Sequence, residues 1–255
     1  MADHGFTHIL ITGGSSGIGE ALAHAYAKPD VLLSLTGRDA ERLGAVARAC
    51  TEKGAQVESH QIDVGDAAAM KAWMEQRERQ KPLDLVIANA GISAGSGGFT
   101  EDPAQTRRIM DVNVGGVMNT VLPAIEFMKP RRRGHIAIVS SLAAFRGFAG
   151  APAYGASKAA VRVWGEGLRP LLARDNIGVS VVCPGFVVSR MTAVNRFHMP
   201  FLMDADKAAR IIQQGITANR GRIAFPWPIL AGVWLMATLP DRLADALGRR
   251  LPFKD

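Results

Sequence analysis

The chain has 255 residues, of which 48% are hydrophobic and 21% are charged. A globular chain of this length buries roughly three quarters of the surface that its unfolded form exposes, and this composition excludes a disordered, collagen-like or disulfide-scaffold protein. Lys and Arg outnumber Asp and Glu by 30 to 23, a surplus compatible with nucleic acid, anionic lipid or a phosphate-bearing ligand.

The basic residues are spread along the chain rather than clustered. Residues 131–133 form the single run of arginines, and no aromatic residue interleaves with it, which argues against nucleic-acid binding. Cys50 and Cys183 lack CxxC or Cys/His spacing, which argues against a metal site and against a secreted disulfide framework. Residues 1–7 contain no apolar segment typical of a signal peptide, so we expect a cytoplasmic protein.

Short apolar runs alternate with longer segments of helical period, the pattern of βα units that build a parallel sheet buried on both faces. The predicted strands are residues 8–12, 31–36, 56–61, 83–88, 135–140, 178–183 and 223–225. The predicted helices are residues 16–28, 40–53, 67–79, 103–128, 154–174 and 206–218. No repeat or linker divides the chain. This predicts an α/β fold over residues 1–255: one doubly wound Rossmann-type domain with a seven-stranded parallel sheet and helices on both faces.

Two later segments fall outside this alternation. Residues 184–204 are irregular, and we interpret about 186–204 as a substrate lid rather than a domain boundary. Residues 223–240 are uncharged, but Pro226 and Pro228 leave only about 227–239 as a C-terminal apolar helix, too short to span a membrane. A buried helix or a subunit contact is favoured for this segment over contact with a membrane surface.

A glycine-rich turn, TGGSSGIG at residues 12–19, follows the first predicted strand and precedes a helix-forming run. Glycines let the backbone approach a pyrophosphate, and the free N–H groups at the positive end of a helix face the negative charge. The turn therefore predicts a dinucleotide site, with a plain βα turn as the alternative. The residues expected to form this site are Gly13, Ser15, Ser16, Gly17, Ile18 and Gly19.

The end of the second strand indicates which dinucleotide would bind. An acidic side chain there would hold the ribose of NAD, whereas an arginine would suit the 2′-phosphate of NADP. Arg38 stands at this position and can pair with a phosphate. Asp39 follows it, and its place before the next helix favours an N-cap over a ribose ligand. We therefore expect NADP(H) in preference to NAD(H).

Tyr154 and Lys158 are four residues apart and lie on one face of a predicted helix. A free phenol has a pKa of about 10, so acting as an acid/base near neutral pH requires about 4 kcal/mol of stabilisation of the phenolate. One ammonium about 4 Å away could supply that much. The pair thus predicts a tyrosine that exchanges a proton with a carbinol oxygen, and an amphipathic surface pair is the alternative.

Five further motifs follow one another along the chain. They are Asp63-Val64 after the third strand, Asn89-Ala90-Gly91 after the fourth, Asn113 in the long helix, Ser141 before Tyr154, and PGFVVS at residues 184–189. With them the chain resembles the short-chain dehydrogenase/reductase family, over about residues 12–192, in the branch whose chains have about this length. Ala88 and Ser189 depart from the family pattern, where Asn and Thr are usual.

The resemblance implies a catalytic set in which Tyr154 is the general acid/base and Lys158 lowers its pKa and binds the nicotinamide ribose. It implies that Ser141 holds the substrate oxygen and that Asn113 maintains a helix irregularity and a water. Read without the resemblance, Ser141 could simply end a strand, Asn113 could be a surface amide and Asp63 a turn former. The cofactor-binding positions that the resemblance adds are Asp63, Val64, Asn89, Ala90, Gly91, Tyr154, Lys158, Pro184, Gly185, Val187 and Ser189.

The implied function is an NADP(H)-dependent oxidoreductase that interconverts a carbonyl compound and a secondary alcohol. The competing hypothesis is a non-catalytic NADP(H)-binding protein that senses redox state and regulates a partner. The apolar side chains of the lid favour an apolar small-molecule substrate, or else only pack the lid onto the core. His198 either faces substrate or is exposed. Family members commonly pair through the helices after the fourth and fifth strands, which implies a homodimer or homotetramer.

Overall fold

The computed structural model describes residues 5–93, 101–195 and 197–248. The described residues leave out the two ends of the predicted domain, which are residues 1–4 and 249–255. They also leave out residues 94–100 and residue 196, which belongs to the predicted lid. The strands are β1 (His8–Thr12), β2 (Leu32–Gly37), β3 (Gln56–Gln61), β4 (Leu85–Ala88), β5 (Gly134–Val139), β6 (Ile177–Pro184) and β7 (Arg222–Phe225). The helices are α1 (Gly17–Tyr26), α2 (Ala40–Glu52), α3 (Ala67–Gln80), α4 (Pro103–Met110), α5 (Gly116–Arg131), α6 (Pro152–Ala173), α7 (Arg190–Ala193), α8 (Ala205–Thr217), α9 (Trp227–Thr238) and α10 (Asp241–Gly248).

The seven strands form one parallel sheet in the order β3-β2-β1-β4-β5-β6-β7. Successive side chains of a strand point to opposite faces of the sheet. In β1, Ile9 and Ile11 accordingly pack with α1, α2 and α8, while Leu10 packs with α3, α5 and α6. The predicted doubly wound α/β fold is confirmed, and its near-continuous apolar strands follow from burial on both faces.

The strand order reverses between β1 and β4. From β1 the chain proceeds outward to β2 and β3, then returns to β4 on the other side of β1. The connections that leave the carboxyl ends of β1 and β4 therefore diverge, and this divergence opens a crevice at that edge of the sheet. The crevice lies beside the predicted glycine turn, which follows β1 directly.

The predicted helix at residues 103–128 is interrupted. The structure has α4, then a π turn at Asp111–Gly115, then α5, which continues to Arg131. A Cβ on Gly116 would lie 2.5 Å from the Val64 Cγ2 atom, so α5 packs closer to the β3–α3 connection than any other residue at this position would allow. A π turn inserts one residue into the helix and so changes its register here. The other predicted boundaries match the structure or differ from it by at most two residues.

The C-terminal apolar helix is present as α9, but it is not a buried helix. Val233 is buried, whereas Trp227, Trp234 and Leu235 are 76%, 60% and 57% exposed. The expectation of a buried helix is therefore wrong for the outer face of α9. Throughout residues 5–93, 101–195 and 197–248, no helix has both the length and the apolar character needed to cross a membrane.

Candidate active site

The glycine-rich turn has a backbone conformation that favours glycine at two positions and a close contact that requires it at a third. Gly13 and Gly17 have positive φ angles of 68° and 57°, a conformation that other residues rarely take. A Cβ on Gly19 would lie 2.1 Å from the Gly13 carbonyl oxygen, so a side chain there would prevent α1 from packing against the turn. The turn thus leaves an open cradle before the N-terminus of α1, where a pyrophosphate fits.

Hydrogen bonds from the end of β4 hold this turn in place. The Thr12 hydroxyl accepts from the backbone N–H groups of Asn89 and Ala90, each at 3.1 Å. The Asn89 side-chain amide donates to the carbonyl oxygens of Thr12 at 3.0 Å and Gly13 at 3.2 Å. Thr12 was not singled out from the sequence, although its place as the last strand residue before the glycines was a usable signal.

The end of β2 carries two guanidinium groups beside the cleft. The Asp39 carboxylate accepts from the Arg42 N–H at 3.0 Å and pairs with the Arg42 guanidinium at 2.8 Å, so the N-cap interpretation of Asp39 is confirmed. Arg38 lines the cleft, is exposed and forms no ion pair with a described residue. The structure therefore adds Arg42 to this end of the cleft, a residue that the sequence analysis did not select.

The connections after β3 and β4 close the side of the cleft. Asp63 lines it, and its carboxylate also accepts from the Gly65 N–H at 2.9 Å, so the turn-forming interpretation of Asp63 holds alongside the site interpretation. Val64 lines the cleft beside it. Gly91 lies where a Cβ would be 3.1 Å from the Lys158 Nζ atom, which brings the β4 connection against the catalytic candidates.

Tyr154, Lys158 and Ser141 meet at the centre of the cleft. Tyr154 and Lys158 occupy successive turns of α6, and the Lys158 Nζ atom lies 5.8 Å from the centroid of the Tyr154 ring. Ser141 lies two residues after β5, where its hydroxyl accepts from the Ala143 N–H at 3.1 Å and is near enough to Tyr154 to oppose the rise in its pKa. Lys158 is 3% exposed, and its ammonium donates to the Val139 carbonyl at 3.0 Å.

Burial governs the protonation of both groups. It raises the pKa of Tyr154, and the hydrogen bond from Ser141 opposes this only in part. It lowers the pKa of Lys158 from 10.5 to about 8. That the ammonium lowers the pKa of the phenol stays a prediction. In the chain alone, burial has the larger effect on the pKa of Tyr154, because the low-dielectric surroundings disfavour both charged forms. Tyr154 holds its proton at neutral pH.

Asn113 is fully buried behind the cleft and does not line it. Its amide oxygen accepts from the Ile92 N–H at 2.8 Å, and its amide nitrogen donates to the Ile92 carbonyl at 2.8 Å and the Ser157 hydroxyl at 3.0 Å. The helix irregularity expected at Asn113 is present as the π turn. Its side chain ties the β4 connection to α6, so Asn113 positions other groups.

The segment after β6 faces the glycine turn. Pro184, Gly185, Val187 and Ser189 line the cleft. A Cβ on Gly17 would lie 2.9 Å from the Ser189 Cβ atom, so the two segments are in close contact. The Ser189 hydroxyl caps α7 together with Thr192. The chain returns to this segment within the predicted lid, through a bridge between Val187 and Met203 and the backbone bonds beside it.

The cleft has a volume of about 830 Å³ and a polar end and an apolar end. Every predicted site residue lines it except Gly19 and Asn113, which pack behind it. The glycine turn, the guanidinium groups and Asp63 form the polar end. The apolar end is formed by the lid, the connection from β5 and the inner face of α9, through Phe148, Met191, Phe197, Ile229, Val233 and Met236. His198 lines this end and is exposed.

Comparison with known proteins agrees with this geometry. A family profile described as short chain dehydrogenase matches residues 7–199. An uncharacterized oxidoreductase of Myxococcus xanthus is 37% identical over 252 residues, which is 98% of this chain and all of that protein. A short-chain dehydrogenase from Sphingobium yanoikuyae in complex with NADPH is 27% identical with a TM-score of 0.78, over 92% of this chain and 96% of that one. A Burkholderia phymatum short chain dehydrogenase/reductase in complex with NAD shares the fold, with 24% identity, a TM-score of 0.83 and coverage of 100% and 99%.

We predict that Gly19→Ala weakens dinucleotide binding about tenfold or more, because its new methyl group would displace the Gly13 carbonyl from the cradle. Gly14→Ala is the matched control, since a Cβ there would meet Leu35 at 3.5 Å, an ordinary contact. Titration of the protein fluorescence with NADPH measures both affinities. Equal affinities for the two variants would contradict the cradle.

We also predict that Lys158→Met makes the protein without cofactor more stable at pH 7, by about 2 kcal/mol, because the variant removes a buried cation at the loss of one hydrogen bond. The folded-state pKa of about 8 lies below the ordinary 10.5, so the destabilisation by Lys158 is complete below pH 8 and is lost as the pH rises towards 10.5. Urea unfolding at pH 7 and pH 10 should show the difference shrinking. Equal stability at pH 7 would contradict the burial penalty.

Proposed function

We propose that this chain, which belongs to the short-chain dehydrogenase family, is an NADP(H)-dependent oxidoreductase that interconverts a carbonyl compound and a secondary alcohol. One observation carries the proposal. The Tyr154 phenol, the Ser141 hydroxyl and the Lys158 ammonium come from two different elements and converge in the cleft that the glycine turn borders. A protein that only bound a dinucleotide would have no use for the first two groups.

In this proposal, Tyr154 is the proton donor for reduction. A carbonyl oxygen gains negative charge as its carbon is reduced, and a phenol placed beside it can supply the proton. A phenol of ordinary pKa, about 10, already carries its proton in the neutral range, and burial raises the pKa of Tyr154 further. The Ser141 hydroxyl, which already hydrogen-bonds to Tyr154, donates to the same substrate oxygen and orients it.

Lys158 serves both the cofactor and the proton path. A nicotinamide dinucleotide supplies or accepts the hydride when it is bound. The Lys158 ammonium binds the ribose next to the nicotinamide, and its pKa of about 8 lets it exchange protons near physiological pH. The hydrogen bond to the Val139 carbonyl fixes the position of the Nζ atom, while Asn113 joins the Ser157 hydroxyl of α6 to the backbone of Ile92.

NADP(H) is favoured over NAD(H) by the charge at the end of β2. Arg38 is exposed there without an ion-pair partner among the described residues, and Arg42 stands beside it with part of its charge matched by Asp39. An extra phosphate would give the Arg38 guanidinium a bidentate partner. A structural relative is described in complex with NADPH, which agrees with this assignment.

The substrate is proposed to be apolar. Within the described residues, no Asp, Glu, Lys or Arg side chain lines the apolar end of the cleft, where His198 is the polar side chain with an imidazole. We propose that about residues 186–204 act as a lid over this end, in a single catalytic domain. Oxidoreductase relatives give no support to the alternative of a non-catalytic redox-sensing regulator.

We further propose a homodimer or homotetramer in the cytoplasm. Met118, Leu122, Val163 and Leu171 are exposed apolar residues on α5 and α6, the helices that follow β4 and β5. A shared face on these helices would cover them. Cys50 and Cys183 are buried free thiols, in keeping with a reducing compartment.

We predict that Tyr154→Phe lowers kcat for reduction by NADPH by about a thousandfold or more, while the Kd for NADPH changes little, because the variant removes a proton donor and keeps the ring. A panel of apolar ketones and aldehydes, followed by the loss of NADPH absorbance, tests this. Tyr26→Phe is the matched control, since Tyr26 is the last residue of α1 and is buried in the core. Undiminished turnover in Tyr154→Phe would refute the assignment.

We predict that Arg38→Ala weakens NADPH binding about tenfold to a hundredfold and leaves NADH binding nearly unchanged, because only NADPH carries the phosphate that pairs with the guanidinium. Arg48→Ala serves as the control, since Arg48 is an exposed arginine of α2 that does not line the cleft. Parallel titrations with both dinucleotides give the ratio. Equal losses for the two would contradict a phosphate-binding role.

A further inference from the structure

The helix that carries Tyr154 begins without a capping side chain of its own. The N-cap of α6 is Ala151, which makes no side-chain hydrogen bond, and Pro152 follows it as the first helical residue. The next two N–H groups, of Ala153 and Tyr154, are the ones that an N-cap side chain normally satisfies. The sequence around α6 offers no group for them, so they need an acceptor from elsewhere in the fold.

Glu101 supplies that acceptor from a distant part of the chain. One carboxylate oxygen accepts from the Tyr154 N–H at 3.0 Å, and the other accepts from the Ala153 N–H. Glu101 lies just before α4, 53 residues ahead of Tyr154, in the connection that leaves β4. A carboxylate at this end of a helix also has a favourable interaction with the helix dipole.

The two catalytic candidates on α6 are held by different contacts. Lys158 is fixed by the bond from its Nζ atom to the Val139 carbonyl, and its own carbonyl accepts from the Ser140 hydroxyl at 2.7 Å. Tyr154 stands in the first turn, where a helix frays most readily when its N–H groups lack partners. Removing the Glu101 carboxylate would therefore loosen Tyr154 and leave Lys158 in place.

We propose that Glu101 is a positioning residue that holds the backbone of Tyr154 and so sets the place of the phenol in the cleft. The effect that we expect on kcat rests on the proposed function. The effect on the position of the phenol can be measured without any turnover. A helix cap with no effect on the phenol is the competing role.

The adjacent residue provides a matched control. Asp102 caps α4, where its carboxylate accepts from the Gln105 N–H at 2.8 Å. Asp102→Ala thus removes a helix-capping carboxylate one position away, on a helix that bears none of the proposed catalytic groups. The two variants should lose similar stability, and only Glu101→Ala should change Tyr154.

The first test observes the phenol directly and needs no substrate. The chain has two tyrosines, so in a Tyr26→Phe background the phenolate absorbance reports Tyr154 alone. We expect Glu101→Ala to lower the apparent pKa of Tyr154 towards the ordinary value near 10, because a loosened phenol reaches water. Asp102→Ala should leave the titration unchanged. Identical titration of Glu101→Ala and its parent would overturn the proposal.

The second test measures catalysis. We expect Glu101→Ala to lower kcat about tenfold or more with the Kd for NADPH unchanged, and Glu101→Gln to restore most of it, since an amide oxygen can accept the same N–H bonds. Equal losses of kcat in Glu101→Ala and Asp102→Ala would show a merely structural role and overturn the proposal. If the parent protein turns over no carbonyl compound, the proposed function fails, and the phenol titration alone decides the role of Glu101.

Discussion

The close packing of α6 against β5 and β6 places the proton-transfer candidates at the cleft. A Cβ on Gly165 would lie 2.7 Å from the Val181 Cγ2 atom, so glycine at this position lets the helix approach the sheet. The Ser140 hydroxyl then bonds to the Lys158 carbonyl, and the Lys158 ammonium reaches Val139. The position of Tyr154 beside Ser141 depends on this approach.

The same packing makes the site electrostatically unfavourable. A buried ammonium whose pKa falls to about 8 weakens the fold, and a buried phenol resists losing its proton. Bound cofactor would give the ammonium new hydroxyl partners, which compensates for part of the lost hydration. The buried ammonium therefore lowers the stability of the fold at a site suited to proton transfer.

Two sets of exposed apolar side chains suggest how the surface is used. One set lies on α5 and α6, where the family resemblance implies a subunit contact. The other lies on the lid and on α9, whose inner face lines the apolar end of the cleft through Ile229, Val233 and Met236. Leu235 both lines the cleft and is exposed, so the apolar wall continues to the mouth of the cleft. The proposed apolar substrate would enter past these side chains.

The sequence by itself determined the α/β fold, the seven strands, and a set of site residues nearly all of which line the cleft, because period-two and helical patterns and the glycine, Asn and Tyr/Lys motifs are local signals. Only the tertiary structure decided that Gly19 and Asn113 stand behind the cleft, that α9 is exposed on one side, and that burial raises the pKa of the phenol. It alone brought Glu101 to the start of α6 and Arg42 beside Arg38. These features depend on groups that are distant in the chain or on desolvation, and neither is encoded in the spacing of neighbouring residues.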